Sequence, residues 1–309
     1  MSTVLPGIEK NVMPGRLGWA APAKINLALH VTGRRADGYH LLESLVVFTR
    51  YGDRLQAKAT GADSFSVSGP FAPSLPCDRG NLVVRARDLM RRRFGAEAAA
   101  PVALHLEKNL PIASGIGGGS SDAAAALGLL ARFWDLKAAS ASLSEIALEL
   151  GADVPMCLYG TPLLARGIGA NLEPLDGLPA LPVVLVNPGL PLATPAVFAA
   201  LLNRKNPPLP PFRAHGGNLA EIVDWLKTTR NDLEAPALSL MPEIGGVLSR
   251  LRAEGARLAR MSGSGATCIG IFSCTDEAER AAATIAGKHP DWFVRATSTT
   301  MSVPETHHA

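Results

Sequence analysis

A glycine cluster closed by two serines and an aspartate carries the clearest chemistry in this sequence. Residues 115–122 read GIGGGSSD and are followed by an alanine- and leucine-rich run with high helix propensity. A loop that opens a helix presents unpaired backbone N–H groups and the positive end of the helix dipole, and glycine lets a ligand approach that backbone without meeting a Cβ atom. The pattern predicts a phosphate-binding loop.

The spacing separates this loop from two common phosphate-binding motifs. A Walker-type loop needs a lysine beside its last glycine, where this chain has serines. The dinucleotide motif G-x-G-x-x-G would place Ser120 at its third glycine, and although Asp135 lies about 20 residues on, the extra segment 109–114 separates the loop from its strand. A glycine-rich surface turn is the remaining alternative, and a cluster ending in Ser-Ser-Asp at a helix start makes it the weaker one.

Three other places have residue types that suit catalysis or binding. The segment 22–31 alternates as a strand with an apolar inner face, so Lys24 and Asn26 are expected side by side on its other face. The turn 33–40 ends in Tyr39 and His40, a position from which side chains can reach a cleft, although on residue type alone such a pair is more often structural than ligand-binding. Asp153 follows a helix predicted at 143–150, where the negative end of the helix dipole disfavours an acid and suggests a functional reason for it.

Composition narrows the classes of protein that fit. The chain has 309 residues, 47% of them hydrophobic and 18% charged, which is typical of a folded protein with one large or two medium domains. A net charge of +3 is too small to indicate nucleic-acid binding and is compatible with anionic substrates. Four widely spaced cysteines favour neither disulfides nor a zinc site, and no segment has the length of a signal peptide or a membrane span. We expect a cytoplasmic protein that binds neither membranes nor nucleic acid.

The remaining elements follow from periodicity and turn residues. Helices are expected at 81–94, 194–202, 219–227, 242–254 and 276–287, and strands at 41–48, 54–59, 64–68, 102–106, 257–261, 266–272 and 293–299. Short strands alternate with turns between 162 and 187. The β–β–α–β order at the end of the chain predicts a small antiparallel α+β domain. The first residues and the proline-rich stretch at 206–215 match no pattern that we can interpret.

Six segments resemble the GHMP kinases, the superfamily of galactokinase, homoserine kinase, mevalonate kinase and phosphomevalonate kinase. In chain order they are PAKINL (22–27), DGYH (37–40), the loop PIASGIGGGSS (111–121), GADVP (151–155), NDLE (231–234) and SGSGAT (262–267). The loop and SGSG occur throughout the superfamily. The PAK-N, DGYH and GADVP segments are similar to those of the branch that phosphorylates the 2-hydroxyl of a cytidylyl methylerythritol with ATP, on the non-mevalonate route to isoprenoid precursors.

The resemblance implies a role for each candidate residue. Asp153 would accept the hydroxyl proton, Lys24 would orient that carboxylate and offset charge on the phosphoryl group, and Asn26 would bind the polyol. Tyr39 and His40 would read the cytidine together with Thr194 and Phe198, and SGSGAT would brace the cleft. The ATP phosphates would contact Lys108 and the loop residues Pro111, Ile112, Ala113, Ser114, Gly115, Ile116, Gly117, Gly118, Gly119, Ser120 and Ser121.

The same resemblance implies the fold and the partners. It implies an α+β, two-domain GHMP kinase fold, with an N-terminal ribosomal-S5-like α/β domain at 1–188 and a C-terminal ferredoxin-like α+β domain at 189–309. Mg²⁺ is expected with ATP, and no acidic constellation identifies its protein ligands. The chain would act as a monomer or a homodimer on a small-molecule substrate. Two alternatives stay open, a GHMP kinase for another small alcohol and a non-catalytic relative that binds a nucleotide or metabolite.

Overall fold

A computed structural model describes residues 16–136, 140–212 and 218–301 of the chain, which divides into two compact units. The first unit consists of Met1–Ala23, Gly52–Ile112 and Gly117–Gly160. The second consists of Lys24–Tyr51, Ala113–Ile116 and Thr161–Ala309. The glycine loop therefore passes from the second unit to the first after Ile116. The uninterpreted first 15 residues, and the end of the proline-rich stretch at 213–215, lie outside the described residues.

The described residues form strands and helices in the following order. The strands are β1 (Arg16–Arg34), β2 (His40–Ala59), β3 (Ser64–Ser68), β4 (Val102–Glu107), β5 (Leu163–Gly167), β6 (Asn171–Pro174), β7 (Pro182–Asn187), β8 (Leu258–Met261), β9 (Cys268–Ile271) and β10 (Phe293–Ser298). The helices are α1 (Leu82–Phe94), α2 (Gly118–Phe133), α3 (Ser140–Leu150), α4 (Val154–Tyr159), α5 (Thr194–Ala199), α6 (Leu219–Lys227), α7 (Glu234–Leu240), α8 (Glu243–Ala253) and α9 (Thr275–Lys288).

The first unit packs four helices with a short set of strands. Strand β4 pairs antiparallel with the second half of β2, from Arg54 to Ala59, and parallel with β3. Helix α2 packs against α1, α3 and α4, and its alanine- and leucine-rich run is buried almost throughout. The Trp19 ring lies where a Cβ atom on Gly128 would be only 2.6 Å away, so glycine there lets the indole pack directly onto the α2 backbone.

The second unit contains a four-stranded antiparallel sheet in the order β10-β7-β9-β8. Its four strands are joined in the order of a βαββαβ ferredoxin-like motif, which confirms the α+β fold class predicted from the end of the sequence. Its first strand, β7, ends at Asn187, on the N-terminal side of the predicted domain boundary, and that boundary stays a prediction. In this unit the first half of β2 also pairs with β5, from Leu42 to Val46.

One sequence-based expectation about local structure is refined and another is corrected. Lys24 and Asn26 lie side by side on β1 as expected, and the face that carries them is buried, because they are 5% and 4% exposed. Asp153 does not simply follow a helix, since it is the N-cap residue of α4, which Pro155 helps to begin. A carboxylate at a helix N-terminus is electrostatically favoured, so the charge is not misplaced.

Candidate active site

The second half of the glycine loop opens α2 in the first unit. Gly117 is the N-cap residue and has a left-handed backbone (φ 64°), which glycine adopts without strain. The Ser121 N–H donates to the Gly117 carbonyl at 2.8 Å and so starts the helical hydrogen bonding. Gly119 is exposed and Ser120 half-buried, whereas Ser121 is buried. The glycine loop thus leads into a helix N-terminus, as the sequence predicted, and phosphate binding there stays a prediction.

A buried ion cluster lies beneath this helix start. The Lys108 ammonium donates to Asp53 and to Asp122, each at 2.5 Å, and all three side chains are at most 5% exposed. The other oxygen of Asp53 accepts the backbone N–H groups of Asn109 and Leu110. Asp122 Oδ1 has no hydrogen-bond partner among the described residues. The cluster holds one cation and two carboxylates, so it joins the strand that precedes the loop to the helix that follows it.

Burial and charge act in opposite directions within this cluster. Burial raises the pKa of Asp122 well above its usual range, against the lowering effect of Lys108. Burial alone would lower the pKa of Lys108, but the charges of Asp122 and Asp53 outweigh it, so the pKa is raised. Lys108 is therefore held as a cation inside the protein. Its contacts are with carboxylates and differ from the direct phosphate contact expected from the sequence.

The structure gives a physical reason, inside the protein, why residue 118 is a glycine. A Cβ atom built on it would lie 3.1 Å from Lys108 Nζ and 3.6 Å from Leu110 Cβ, inside the protein. An added Cβ atom at this position would therefore meet the ion cluster and Leu110. Glycine at 118 lets the helix start sit closely on the ion cluster.

The first half of the loop belongs to the second unit and is held by neutral hydrogen bonds. The carbonyl oxygens of Ser114, Gly115 and Ile116 accept, respectively, from Thr267 N at 3.1 Å, Ser262 Oγ at 3.1 Å and Lys24 N at 2.9 Å. A carbonyl oxygen repels an anion, and all three are instead turned to donors of the protein. This arrangement suits a segment that must accept a phosphate.

The SGSG turn, Ser262–Gly265, touches the same segment closely. A Cβ atom on Gly115, whose φ is 77°, would lie 2.6 Å from the carbonyl oxygens of both Ser262 and Gly265. Both the left-handed backbone and the lack of space require glycine here. The Ser264 hydroxyl pairs with that of Thr194 at 2.7 Å. The turn therefore braces the loop within the second unit.

Lys24 and Asn26 lie on β1 beside this turn. The Lys24 ammonium donates to Asn26 Oδ1 at 3.0 Å, while the Asn26 amide donates to Ser44 Oγ at 2.7 Å. The Asn26 backbone N–H donates to Ser262 Oγ at 3.1 Å. Asn26, expected to bind a polyol, thus has its amide engaged with Lys24 and Ser44. Its most direct effect is to fix the ammonium of Lys24.

Asp153 lies in the first unit, at the start of α4, and is partly exposed. Its side chain does not cap that helix, although its backbone is helical (φ −85°, ψ −14°). The positive end of the helix dipole favours the charged carboxylate, and the Asp153 side chain makes no capping hydrogen bond to the helix. That is a reasonable environment for an acceptor of a proton.

Two of the side chains expected to contact the cytidine, His40 and Phe198, lie together in the second unit. The rings of His40 and Phe198 stack with centroids 4.8 Å apart. Burial lowers the pKa of His40, and the charges of Arg34 and Arg204 lower it further, so the imidazole is neutral at neutral pH. His40 Nε2 is buried and has no partner among the described residues. Tyr39, expected beside it, is 62% exposed.

Two residues of these arrangements, Asp53 and Ser44, were not anticipated from the sequence. Asp122 and Ser262 belong to segments that the sequence singled out, but their contacts were not anticipated. The local signals are that Asp122 directly follows the two loop serines and that Asp53 lies between two predicted strands. Neither signal shows that the two carboxylates share one lysine, because the partners are separated by 14 and 55 residues.

The described residues contain no group of three or more histidine, cysteine, aspartate or glutamate side chains that could hold a metal ion. In the same part of the chain, no helix combines the length and apolar composition needed to cross a membrane.

The fold and the loop agree with two family patterns. The pattern of the GHMP kinases N terminal domain matches residues 81–161, and that of the GHMP kinases C terminal matches residues 199–291. The first range includes the glycine loop and Asp153, and the second includes Asn231 and the SGSG turn. Together these define a small-molecule phosphotransferase that uses ATP.

Curated relatives narrow the class. A protein of Chelativorans sp. (strain BNC1) is 59% identical over 95% of this chain and 99% of its own length, and one of Mesorhizobium japonicum is 56% identical over 94% and 98%. Both are named 4-diphosphocytidyl-2-C-methyl-D-erythritol kinase. A crystal structure of 4-(cytidine 5'-diphospho)-2C-methyl-D-erythritol kinase is 36% identical, covers 92% of this chain and all of its own, and has a TM-score of 0.76. This chain therefore belongs to the GHMP kinases and, among them, to the family of these cytidylyl methylerythritol kinases.

A more distant structure supports the fold alone. A homoserine kinase from Cytophaga hutchinsonii is 18% identical, covers 95% of this chain and 97% of its own, and has a TM-score of 0.67.

Proposed function

We propose that this protein transfers the γ-phosphoryl group of ATP to the 2-hydroxyl of 4-diphosphocytidyl-2-C-methyl-D-erythritol, a step of the non-mevalonate route to isoprenoid precursors. The observation that carries the choice of substrate is the 59% identity to a kinase of that name over 95% of this chain. A cytoplasmic location fits an enzyme that consumes ATP, and Mg²⁺ would enter with the nucleotide.

Phosphoryl transfer needs the phosphates held in line and their charge neutralised. Residues 111–121 are proposed to hold the phosphates, because the helix start at Gly118 offers backbone N–H groups and the loop carbonyls 114–116 are bound by the protein. Lys108 is proposed to act indirectly, since its ion pair with Asp122 keeps the start of α2 in place. A direct contact between its ammonium and a phosphate is not supported by its burial.

Two residues are proposed to act on the transfer step. Asp153 accepts the proton of the attacking hydroxyl. Lys24 offsets the charge that develops on the attacking oxygen and the phosphoryl group, and Asn26 holds its ammonium at 3.0 Å. The buried position of Lys24 strengthens such an interaction, since charges interact more strongly away from water.

The cytidine end is proposed to lie against His40 and Phe198. The neutral His40 has one buried ring nitrogen without a partner among the described residues, and a cytosine edge offers both donors and acceptors to such an atom. Phe198 gives an aromatic face, Thr194 a hydroxyl, and the exposed Tyr39 a second ring. The hydrogen bond to His40, more than the stacking, would select the base.

The experiment is a turnover assay with ATP and a set of alcohols, with and without the cytidine diphosphate group, followed by ³¹P NMR of the product. We expect the cytidylyl alcohol to be phosphorylated and free methylerythritol to be a poor substrate. Preference for an undecorated alcohol would favour a different GHMP kinase activity. Nucleotide binding without turnover of any alcohol would favour the non-catalytic alternative.

The chemistry is tested in the same assay with Asp153→Asn, which keeps size and removes the charge. We expect kcat to fall by roughly 10²-fold or more, with both substrates still bound and an unchanged thermal melt. Asp176→Asn is the matched control, because Asp176 is exposed and lies outside every proposed contact. A wild-type rate for Asp153→Asn would remove Asp153 from its role.

A further inference from the structure

The NDLE segment, residues 231–234, has no role in the mechanism proposed so far, although its first residue is buried. Asn231 is 6% exposed. Its side-chain amide donates to the carbonyl oxygens of Met261 and Gly263, each at 2.8 Å, and its oxygen accepts from Leu233 N at 3.0 Å. The Asn231 carboxamide therefore binds two carbonyl groups, one just before the SGSG turn and one on the second residue of the turn.

The backbone around Asn231 is at the same time attached to β1. The Leu29 N–H donates to the Arg230 carbonyl at 2.9 Å, and the Asp232 N–H donates to the Leu29 carbonyl at 2.8 Å. The Asp232 carboxylate accepts from Val31 N at 2.7 Å. Asn231 thus joins the strand that carries Lys24 and Asn26 to the turn, through its backbone on one side and its side chain on the other.

The turn contacts Asn26 directly. Ser262 Oγ accepts from Asn26 N and donates to the Gly115 carbonyl, both at 3.1 Å. A Cβ atom on Gly263, which has a φ of 54°, would lie 2.8 Å from the Gly115 oxygen and 3.3 Å from Asn26 Oδ1. There is no free space into which the turn could relax towards Asn26. A shift of the turn must therefore move Asn26 or the loop.

Asn26 in turn holds Lys24, since its Oδ1 atom accepts from the Lys24 ammonium at 3.0 Å. We propose that Asn231 is a positioning residue for phosphoryl transfer, which acts by holding the SGSG turn against β1 and so fixes Asn26 and the ammonium of Lys24. This inference rests on the proposed function, because that function gives Lys24 its part in the transfer step.

The chemistry requires an amide at this position. Alanine would leave two buried carbonyl oxygens without their donor, and aspartate would place a carboxylate oxygen against them. Because transfer depends on close alignment of charge with the moving phosphoryl group, Asn231→Ala should lower kcat by about 10- to 100-fold. The KM values should change by less than about threefold, since the residue touches neither substrate.

The test is a double-mutant cycle on kcat with Asn231→Ala, Lys24→Met and the combined variant, using saturating ATP and cytidylyl alcohol. If Asn231 acts through Lys24, the combined variant should be no more than about twofold slower than Lys24→Met alone. A merely structural role predicts losses that multiply, and that outcome would overturn the proposal. A wild-type kcat for Asn231→Ala would overturn it as well.

Asn218→Ala is the matched control, because Asn218 is an asparagine of the same unit that caps α6 and lies outside these contacts. Its kcat should stay at the wild-type value. If Asn231→Ala does not fold, Ser262→Ala replaces it in the cycle, since it removes the next link by deleting a single hydroxyl. An inactive wild-type protein would contradict the proposed function itself, whereas an active one with multiplicative losses contradicts only the role of Asn231.

Discussion

The two halves of the glycine loop are held by different forces. Residues 114–116 are held by neutral hydrogen bonds from Lys24 of β1, Ser262 of the SGSG turn and Thr267. Residues 117–122 begin a helix whose start sits on a lysine shared by two buried carboxylates. A continuous sequence motif therefore has a neutral half and a charged half. The first depends on close backbone contact and is insensitive to pH, while the second depends on protonation.

The difference shows why glycine serves two purposes in one loop. At Gly115 the left-handed backbone and the nearby backbone atoms of the turn leave no room for any residue other than glycine. At Gly118 the backbone is helical, and the neighbour is the end of a lysine side chain. The sequence motif makes these positions look equivalent, yet substitutions should affect them unequally.

The largest effect is expected for Gly115→Ala in the neutral half. The methyl group would meet two carbonyl oxygens at 2.6 Å, and a left-handed alanine costs roughly 1–2 kcal/mol in addition. We expect kcat/KM to fall by about 10²-fold or more because the loop must move. Gly255→Ala is the control, since Gly255 has a φ of 95° but nothing within 4 Å of an added Cβ. Equal effects of the two variants in activity and melting assays would mean that contact with the turn is unimportant.

Lys108→Met should be the most damaging change to stability in the charged half. It leaves two buried carboxylates without their cation, which typically costs about 3–5 kcal/mol. Urea denaturation measures the loss. Lys227→Met removes the exposed partner of Asp224 and should change the free energy of unfolding by less than about 1 kcal/mol. If Lys108→Met lowered the free energy of unfolding by as little as Lys227→Met, the cluster would not stabilise the helix start.

Gly118→Ala should have a smaller effect on stability. Alanine favours a helix by roughly 1 kcal/mol over glycine, but the Cβ atom would lie 3.1 Å from a lysine that two carboxylates hold in place. The two effects should nearly cancel. In Gly119→Ala the nearest atom, Leu82 Cδ1, is at an ordinary 3.6 Å, so this variant should gain stability. If thermal melts show the same gain at both positions, Gly118 is not crowded by the cluster.

The smallest expected effect is a change in the pH dependence of stability in Asp122→Asn. Because burial raises the folded-state pKa of Asp122, its stabilising contribution is present below the unfolded pKa of about 3.9 and is lost as the pH rises through the folded value. The variant should lack this loss when urea titrations are repeated at increasing pH, starting near the unfolded pKa of about 3.9. If the free energy of unfolding of Asp122→Asn depended on pH as in the wild type, Asp122 would not be the group that causes the loss.

Asp63, in the same unit, should contribute to stability with the opposite pH dependence. A hydrogen bond from Arg91 lowers its pKa, so its contribution is present above the unfolded pKa and is lost as the pH falls through the folded value. Asp63→Asn should therefore lower stability at neutral pH and remove the part of the acidic decline that this carboxylate causes, as measured by the same urea titrations.

The local features of the site could be predicted from the sequence. The helix start after the glycines and the strand that carries Lys24 follow from composition and periodicity, and both are present. The helix predicted at 81–94 is confirmed as α1, with Asn81 as its N-cap. These features depend on neighbours within a few residues, which a pattern can show.

The rest depends on contacts between distant parts of the chain. The burial of Lys24 arises because other elements cover the second face of β1, and the partners of Lys108 lie 55 and 14 residues away. Helix α7 was missed because Pro236 and its short length hide the helical period. The roles given to Lys24 and Asp153 stay predictions until their variants are assayed.

The interleaving of the two units has a consequence for how the chain folds during its synthesis. The last residue of the first unit is Gly160, so all three of its segments leave the ribosome before the final segment of the second unit. The strands of Lys24–Tyr51 pair with each other, but they also need partners made much later, β5 and the segment around Asn231. Such pairings over long sequence distances form slowly. The strand that carries Lys24 is thus synthesised well before the segments that complete its pairing, and it is among the last parts of these units to be completed.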